Sequence, residues 1–368
     1  MNPIQQLNQF GQSVWYDNVQ RDLIDSGEMQ KLIELGVTGV TSNPTILERA
    51  ITSSTAYDKD ILRAVNDGKT LNDIYDSLVF DDIQRVADLL LPVYQNSFGA
   101  DGYVSIEVPP TLAANTEETI KEGQRIFSAL NRPNIMIKVP ATPEGIPAIR
   151  TLISKGINVN VTLIFSVSEY EKVIEAYLLG LEDRLARGES VKVASVASFF
   201  ISRVDSSVDP AIDELQLDPA FLGKAAIANA KLAYRLFQEQ FTSERFNRLK
   251  VSGAFVQRPL WASTSTKNPN YPELLYVSPL VGPDSVNTMP PKTLEAVLSK
   301  GNFCSTLEEG ISEAKQILTI LEQNGISISK VTDKLLNEGV TLFEESFENL
   351  MGNLKSKAES IRSSRTFA

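Results

Sequence analysis

Segments with the pattern of buried β-strands alternate with segments with the pattern of amphipathic helices through most of this chain. Each predicted strand is a short apolar run, and a stretch with apolar residues at helical spacing follows it. Eight such units over about 300 residues predict an α/β fold, a (β/α)8 TIM barrel, rather than an open sheet. The predicted strands lie at about 14–18, 39–43, 102–108, 135–139, 157–165, 194–201, 259–264 and 273–278.

Additional helices are predicted outside the regular repeat. Residues 57–98 carry apolar side chains at helical spacing over two or more helices. Residues 166–169 and 305–308 each have the Ser-x-x-Glu spacing of a capping box, which opens a helix. A long helix is predicted from 218 to about 242.

The domain organisation follows from the absence of any Gly/Ser-rich linker or low-complexity tract in the sequence. We predict that residues 1–368 form one barrel domain, with an amphipathic helical C-terminal extension from about Ser305 to about Ile361. A separate small domain after about Gly301 is the alternative.

The lack of histidine restricts the chemistry more than any other feature of the composition. Without histidine the 368-residue chain cannot build a Ser-His-Asp or Cys-His triad or a histidine zinc site. Any general acid or base must be a carboxylate, lysine, tyrosine, cysteine or ordered water. A single cysteine, Cys304, cannot form an internal disulfide, which suits a reducing cytoplasm.

The formal charge of −11 argues against a general nucleic-acid-binding protein, because phosphate backbones are held by clustered Lys and Arg. An anionic small substrate would need a local basic pocket. No apolar run is long enough to span a bilayer, and the N-terminus lacks the pattern of a secretory signal. We therefore expect a cytoplasmic protein without nucleic-acid or membrane partners, either a monomer or a homodimer.

One lysine lies within the fourth predicted strand, where Ile137 and Val139 flank Lys138. Lysine is rarely buried without a partner or a task. Its ammonium could extend to the surface or pair with a carboxylate. Alternatively, burial lowers the lysine pKa, so that the free amine can attack a ketone and form a Schiff base. The local sequence leaves these interpretations open.

Polar side chains also occur near the C-terminal ends of other predicted strands, where barrel enzymes place their catalytic residues. The carboxylates of Asp17 and Glu107 need a partner on such strands, and Lys138 is one. The remaining members of the set are Asn43, Asn160, Thr162, Ser198 and Ser263.

Some of these residues have simpler explanations. Asn43 precedes Pro44 and could cap a helix. Asn160 and Thr162 share one strand face and could satisfy each other. Ser198 is small enough for a core.

Five motifs resemble those of the transaldolase family, in the same order and with similar spacing, over about Val14 to Ser278. The motifs are Trp15–Asn18, Gly36–Ile46, Ser105–Val108, Ile137–Gly145 and Asn160–Ser166. The chain length and the segments 257–269 and 286–289 look like the longer bacterial form of that family.

The resemblance implies a class I barrel enzyme that uses no metal and no cofactor. Such an enzyme moves a dihydroxyacetone unit from sedoheptulose 7-phosphate to glyceraldehyde 3-phosphate in the non-oxidative pentose phosphate pathway. The products are erythrose 4-phosphate and fructose 6-phosphate, so the expected partners are small-molecule sugar phosphates.

The resemblance also implies catalytic roles. Lys138 matches the Schiff-base lysine, and its iminium would accept the electrons of the broken C3–C4 bond. Asp17 matches the base for the C4 hydroxyl. Glu107 and Thr162 match the pair that handles a catalytic water.

Substrate-binding roles are implied in the same way. Arg203 matches a phosphate-binding arginine of the family. Many relatives have a second arginine after the Ala-Ser of the seventh strand, whereas this chain continues to Lys267 without one, so Ser263 and Lys267 are the expected second phosphate ligands. The residues that match groups holding the dihydroxyacetone hydroxyls are Asn43, Asn160 and Ser198.

Two other functions remain as alternatives. A fructose 6-phosphate aldolase on the same scaffold would release free dihydroxyacetone. A catalytically silent sugar-phosphate-binding barrel would be expected to lack at least one of Lys138, Asp17 and Glu107, and all three are present.

Overall fold

A closed barrel of parallel strands forms the centre of the computed structural model, which describes residues 1–366. Each strand pairs with its neighbours in sequence, and the eighth pairs with the first to close the barrel. The predicted (β/α)8 TIM barrel is confirmed. The strands are β1 (Gln12–Tyr16), β2 (Val37–Thr41), β3 (Val104–Glu107), β4 (Ile135–Pro140), β5 (Val159–Ile164), β6 (Ser195–Phe200), β7 (Arg258–Ala262) and β8 (Ser285–Met289).

Helices connect the strands and surround the barrel. The α-helices are α1 (Pro3–Gln9), α2 (Arg21–Asp25), α3 (Glu28–Glu34), α4 (Pro44–Ser53), α5 (Asp58–Asn66), α6 (Leu71–Asn96), α7 (Thr116–Leu130), α8 (Gly145–Ser154), α9 (Val167–Ala186), α10 (Ser202–Glu214), α11 (Ala225–Phe241), α12 (Glu244–Val251), α13 (Pro291–Lys300), α14 (Ile311–Gln323) and α15 (Ile328–Thr366). Short 3-10 helices occur at Pro110–Leu112, Pro219–Phe221 and Ser278–Leu280. None of the helices within residues 1–366 is long and apolar enough to cross a membrane.

The eighth strand was predicted at 273–278, and this prediction is wrong. That segment forms turns and enters a 3-10 helix, and the N–H of Val277 donates to the carbonyl of Leu274. Its apolar pattern arises because Tyr276 and Val277 are buried without pairing as a strand. The true β8 contains buried polar residues such as Asn287, which the hydrophobic pattern of a core strand does not include.

The two predicted capping boxes have different outcomes. The first is confirmed, because the Glu169 N–H donates to Ser166 Oγ at 3.1 Å and the Ser166 N–H donates to Glu169 Oε2 at 3.2 Å. The second, at Ser305–Glu308, is wrong. Helix α14 begins only after Gly310, whose backbone is left-handed with φ 67°. No side chain caps the start of this helix.

The long helix predicted over 218–242 is divided in two. The 3-10 helix Pro219–Phe221 comes first, and α11 begins at Ala225. Gly223, between them, has φ +70°, which interrupts a right-handed helix. The two or more helices predicted over 57–98 are confirmed as α5 and α6.

Helix α15 lies against the helices that follow β2. Lys357 forms an ion pair with Asp58 at 2.9 Å, and Thr45 Oγ1 donates to Ser346 Oγ at 3.0 Å. The rings of Tyr75 and Phe347 meet edge to face. The predicted C-terminal helical extension is confirmed and continues to Thr366. The single-domain organisation stays a prediction, which this packing supports.

Candidate active site

A pocket of about 190 Å³ lies at the C-terminal ends of the barrel strands. Eight of the ten predicted site residues line it: Asp17, Asn43, Lys138, Thr162, Ser198, Arg203, Ser263 and Lys267. The other two, Glu107 and Asn160, pair in register with Lys138 on the neighbouring strands β3 and β5. Sequence-distant residues therefore meet at one end of the barrel, as predicted.

Lys138 is buried, and its side chain is only 7% exposed. Its Nζ donates to the backbone carbonyl of Ser42 at 3.0 Å and lies 3.5 Å from Glu107 Oε2. The interpretation in which the ammonium extends to the surface is wrong. Pairing with a carboxylate is observed, and it leaves the amine inside the pocket, where a ketone could reach it.

Two carboxyl groups near this lysine have raised pKa values. Burial raises the pKa of Glu107, while the positive charge of the nearby Lys138 opposes the shift. Burial also raises the pKa of Asp17, against a hydrogen bond from Thr41 and the charge of Lys138. Carboxyl groups with raised pKa values are suited to accept and return protons during a reaction.

Asp17 is held by groups on both neighbouring strands. Its backbone N–H donates to the carbonyl of Met289 at 2.8 Å, which continues the β1–β8 pairing. Thr41 Oγ1 lies 2.6 Å from Asp17 Oδ1 and 2.6 Å from Thr288 Oγ1. These contacts fix the carboxylate at the rim of the barrel.

Asn160 forms a chain of side-chain hydrogen bonds inside the barrel. Its Nδ2 donates to Ser105 Oγ at 3.0 Å, and its Oδ1 accepts from Ser198 Oγ at 2.7 Å. The alternative in which Asn160 and Thr162 satisfy each other is wrong. Thr162 Oγ1 is buried without a hydrogen-bond partner and lines the pocket, so it is free to bind a polar group there.

Strand β5 contains a β-bulge, which lies beyond Asn160 and includes Thr162. Val161 pairs with Ala197, but Ile164 pairs with Phe199, so β5 contains one extra residue. Leu163 has φ 59°, a left-handed conformation that costs a non-glycine residue about 1–3 kcal/mol. Such strain is typical of functional sites, and here it immediately follows Thr162.

Asn43 begins α4. Its Oδ1 accepts from the N–H of Ile46 at 3.0 Å, so the capping interpretation is confirmed. Asn43 also lines the pocket, and its Nδ2 does not take part in the cap. A substrate hydroxyl can therefore use the amide while the helix uses the oxygen.

Two cations, Arg203 and Lys267, line the pocket after strands β6 and β7. Arg203 is in the first turn of α10, and its guanidinium lies 5.6 Å from the centre of the Phe200 ring. Burial lowers its pKa. The Lys267 ammonium reaches solvent and donates to Ser265 Oγ at 3.0 Å, and partial burial and the charge of Arg203 lower its pKa. Among the described side chains, those of residues 1–363, neither cation forms an ion pair, so the two together favour an anion.

Sequence reasoning missed several residues of the pocket. Thr41 and Thr288 contact each other beside Asp17, and Thr288 was missed because β8 was placed elsewhere. Ser42 contributes a backbone carbonyl, which no side-chain pattern reveals. Phe343, from α15, places its ring centre 5.9 Å from Lys138 Nζ.

Comparison with known proteins agrees with this geometry. The sequence model of the transaldolase/fructose-6-phosphate aldolase family matches residues 14–354. The chain belongs to this family. The family match includes Phe343 and most of α15, so the helix at the pocket lies within the matched region.

Individual members of the transaldolase/fructose-6-phosphate aldolase family are similar over nearly the whole chain. Transaldolase 2 of Nostoc sp. (strain PCC 7120) is 45% identical over 98% of each chain. Transaldolase of Trichodesmium erythraeum is also 45% identical over 98% of each chain. Transaldolase of Thiobacillus denitrificans is 43% identical over 96% of this chain and all of its own.

Proposed function

We propose that this protein is a transaldolase that carries a dihydroxyacetone unit on Lys138. The donor is sedoheptulose 7-phosphate and the acceptor is glyceraldehyde 3-phosphate, and the products are erythrose 4-phosphate and fructose 6-phosphate. This is a reaction of the non-oxidative pentose phosphate pathway. The observation that carries the proposal is the buried Lys138 amine, which lies beside Glu107 and shares a pocket with Asp17, two carboxyl groups whose pKa is raised by burial; the pocket also contains two cations.

In the first half-reaction, the amine of Lys138 attacks the C2 carbonyl of the donor and forms a carbinolamine. The carbinolamine loses water when its hydroxyl is protonated. Glu107, 3.5 Å from Lys138 Nζ, is the proposed donor of this proton, and the Thr162 hydroxyl, buried without a hydrogen-bond partner, is the proposed ligand of the departing water. The product of these steps is an iminium ion.

Asp17 acts in the next step. It accepts the proton of the C4 hydroxyl, the C3–C4 bond breaks, and the bond electrons move into the iminium to form an enamine. The shortened aldehyde leaves. When the acceptor aldehyde binds, the enamine carbon attacks it and Asp17 returns the proton to the new hydroxyl.

The three-carbon unit must stay bound between these steps. Asn43, Asn160 and Ser198 are the proposed ligands of its hydroxyls, and the Asn160–Ser198 hydrogen bond fixes two of them relative to each other. Phe343 covers this part of the pocket with an apolar ring. We propose that the ring limits access of water to the enamine.

Phosphate binding is assigned to Arg203, Lys267 and Ser263. The guanidinium and ammonium supply positive charge, and the Ser263 hydroxyl lies 3.0 Å from Ser202 Oγ, which holds it in place. The substrates are phosphorylated at the end remote from the reacting carbonyl. Arg203 and Lys267 follow β6 and β7, across the barrel from Glu107 on β3, so their positive charge suits the phosphate end of such a substrate.

We propose that the reaction needs no cofactor, because the iminium itself accepts the electrons of the broken bond. Among the residues that the structure describes, no group of three or more His, Cys, Asp or Glu side chains could hold a metal ion. The cytoplasmic location stays a prediction, and monomer and homodimer both remain open.

The test is borohydride trapping in the presence of fructose 6-phosphate, followed by mapping of the modified peptide. The trapped adduct should lie on Lys138, and Lys138→Ala should lose the adduct and the turnover together. An adduct on another lysine, or turnover that persists in the variant, would contradict the site assignment.

The family description also includes fructose-6-phosphate aldolase, so the same sample should be tested for that activity. A transaldolase consumes fructose 6-phosphate only while an acceptor such as erythrose 4-phosphate is present. Steady release of dihydroxyacetone without an acceptor would favour the aldolase. Binding without any trapped adduct would favour a catalytically silent barrel.

A further inference from the structure

The segment between β7 and β8, residues 263–284, brings Ser263, Ser265 and Lys267 to the pocket. Its only helical part is the 3-10 helix Ser278–Leu280. The Lys267 side chain is exposed. Within the described residues its ammonium makes a single hydrogen bond, to Ser265 Oγ. The position of this cation therefore depends on how the segment itself is held.

Two tyrosines of the segment donate hydrogen bonds to carboxylates of α10. Tyr271 Oη donates to Asp209 Oδ2 at 2.6 Å, and Tyr276 Oη donates to Asp205 Oδ2 at 2.9 Å. Asp205 and Asp209 are four residues apart and lie on the same face of the helix. We call these two hydrogen bonds the tyrosine latch.

The second oxygen of each carboxylate is also occupied. Asp205 Oδ1 accepts from the N–H of Ala226 at 2.8 Å, and Asp209 Oδ1 accepts from the N–H of Gly223 at 3.0 Å. Ala226 is in the first turn of α11, and Gly223 lies two residues before that helix begins. Each carboxylate is thus held by a backbone N–H at or just before the start of α11, which orients the other oxygen toward its tyrosine.

Helix α10 also presents the other cation of the pocket. Arg203 is its second residue, and the preceding Ser202 donates its N–H to the carbonyl of Ser263 at 3.1 Å. Helix α10, which carries Arg203, is therefore hydrogen-bonded to segment 263–284, which carries Lys267. The bonds come from three residues of the helix, 202, 205 and 209.

We propose that the tyrosine latch sets the position of Lys267 relative to Arg203 and so makes one phosphate-binding site from two separate elements. Tyr271 and Tyr276 are positioning residues, since neither lines the pocket. This inference rests on the proposed action on sugar phosphates. It predicts that the latch matters for the phosphate group and not for the chemistry at Lys138.

The test removes only the phenolic oxygens, in Tyr271→Phe, Tyr276→Phe and the double variant. With saturating fructose 6-phosphate, KM is measured for erythrose 4-phosphate and for erythrose, and inorganic phosphate is titrated as an inhibitor. The double variant should raise KM for erythrose 4-phosphate and the inhibition constant of phosphate about five- to tenfold, the effect of losing a hydrogen bond of ordinary strength. The kcat and the KM for erythrose should change less than twofold.

Tyr234→Phe is the matched control. Tyr234 Oη donates to the carbonyl of Pro283 at 2.9 Å, so this variant also removes one tyrosine hydroxyl that is hydrogen-bonded to the same segment, but at its far end and to a backbone carbonyl. It should leave both acceptors and the phosphate inhibition unchanged. Melting temperatures of all variants show whether a loss of stability accompanies any change.

Arg203→Ala separates failure of the latch from failure of the phosphate site. If Arg203→Ala loses the preference for the phosphorylated acceptor but the double tyrosine variant keeps it, the latch proposal is wrong and the phosphate site stands. If Arg203→Ala also keeps the preference, phosphate is bound elsewhere and both proposals fail. Equal losses on erythrose and erythrose 4-phosphate in the tyrosine variants would show a merely structural role.

Discussion

At the scale of single residues, Asp17 and Glu107 approach Lys138 from different strands, and burial raises the pKa of both carboxyls. The charge of Asp17 raises the pKa of Glu107 further. When ionisable side chains interact in this way, the pKa values observed in a titration describe the coupled side chains together and not one residue. Substituting one carboxylate therefore changes the electrostatic environment of the other carboxylate and of Lys138. The roles of Asp17 and Glu107 are distinguished by which reaction step, adduct formation or C3–C4 cleavage, is slowed in each variant.

Asp17→Asn keeps the shape of the side chain and removes the proton acceptor. Turnover of fructose 6-phosphate should fall by roughly two to four powers of ten, because a positioned general base is lost. Lys138 should still condense with the ketone, so an adduct with the uncleaved six-carbon sugar should accumulate. Mass spectrometry of the borohydride-reduced Lys138 peptide measures the adduct, and a three-carbon adduct formed at the normal rate would contradict this role.

Glu107→Gln is the contrasting variant in the same assay. If Glu107 supplies protons for carbinolamine dehydration, formation of the adduct itself should slow, and no six-carbon adduct should build up. Two variants with the same adduct pattern would mean that the carboxylates do not divide the steps as proposed.

A pH-dependent effect on stability is expected from Asp205. Burial raises its pKa from 3.8 to about 7, with a further contribution from the charge of Asp209. Between these values the folded state holds a proton that the unfolded state has released, so this residue lowers stability as pH rises from about 4 to 7.

Asp205→Asn removes this titration, since the asparagine amide is neutral at every pH. The difference in unfolding free energy, variant minus wild type, should increase from pH 5 to pH 8, by up to about 1.4 kcal/mol for each pKa unit of the shift. Denaturant titrations of both proteins at each pH measure it. A difference that stays constant would show that Asp205 is ionised throughout.

Most of the pocket side chains could be predicted, because Lys138 and Asp17 lie in motifs whose polar residues conflict with a buried strand. Thr41 and Thr288 could not, since a threonine is ordinary in a strand and only its contacts reveal its use. The carbonyl of Ser42 carries no sequence signal at all.

At the scale of elements, regular strands were predicted well and irregular ones poorly. β4 is apolar except for its lysine and was located within one residue. β8 was missed because it contains buried polar residues, which the pattern of a core strand excludes; Asn287, for example, accepts a hydrogen bond from Thr264 Oγ1 at its Oδ1 inside the barrel. The bulge in β5 was also invisible, since Leu163 looks like any apolar strand residue until its φ is known.

Leu163→Val tests whether this bulge positions Thr162. A β-branched residue fits a φ of 59° worse than leucine does, so the variant should lose about 1–3 kcal/mol of stability and form the Lys138 adduct more slowly. Ile164→Val is the matched control on the same buried strand. It should cost about 1 kcal/mol and keep the rate of adduct formation. Equal adduct rates in the two variants would show that the strain at Leu163 does not serve Thr162.

At the scale of the whole molecule, the C-terminal helix completes the pocket that the barrel begins. The sequence predicted a helical extension, but its docking depends on contacts between residues far apart in the chain, which no local pattern specifies. Gly339 of α15 lies against Leu163, where an added Cβ would be 3.0 Å from the leucine side chain. The helix thus touches both the bulge and, through Phe343, the space above the reactive lysine.

Phe343→Ala should open this space to water. In the wild-type protein without an acceptor, fructose 6-phosphate should release about one glyceraldehyde 3-phosphate per site and then stop, because the enamine is retained. With the ring removed, water can protonate the enamine carbon and then hydrolyse the iminium, so free dihydroxyacetone should be released over many turnovers. An enzymatic assay for dihydroxyacetone measures it.

Phe347→Ala provides the control for this last experiment. Phe347 is on the same helix, one turn further along, and packs on Tyr75 outside the Lys138 pocket. Both variants lose a packed aromatic ring and should be destabilised, but only Phe343→Ala should leak dihydroxyacetone. Equal leakage would mean that α15 excludes water by its general packing. No leakage from either variant would mean that the barrel residues retain the three-carbon unit without the helix.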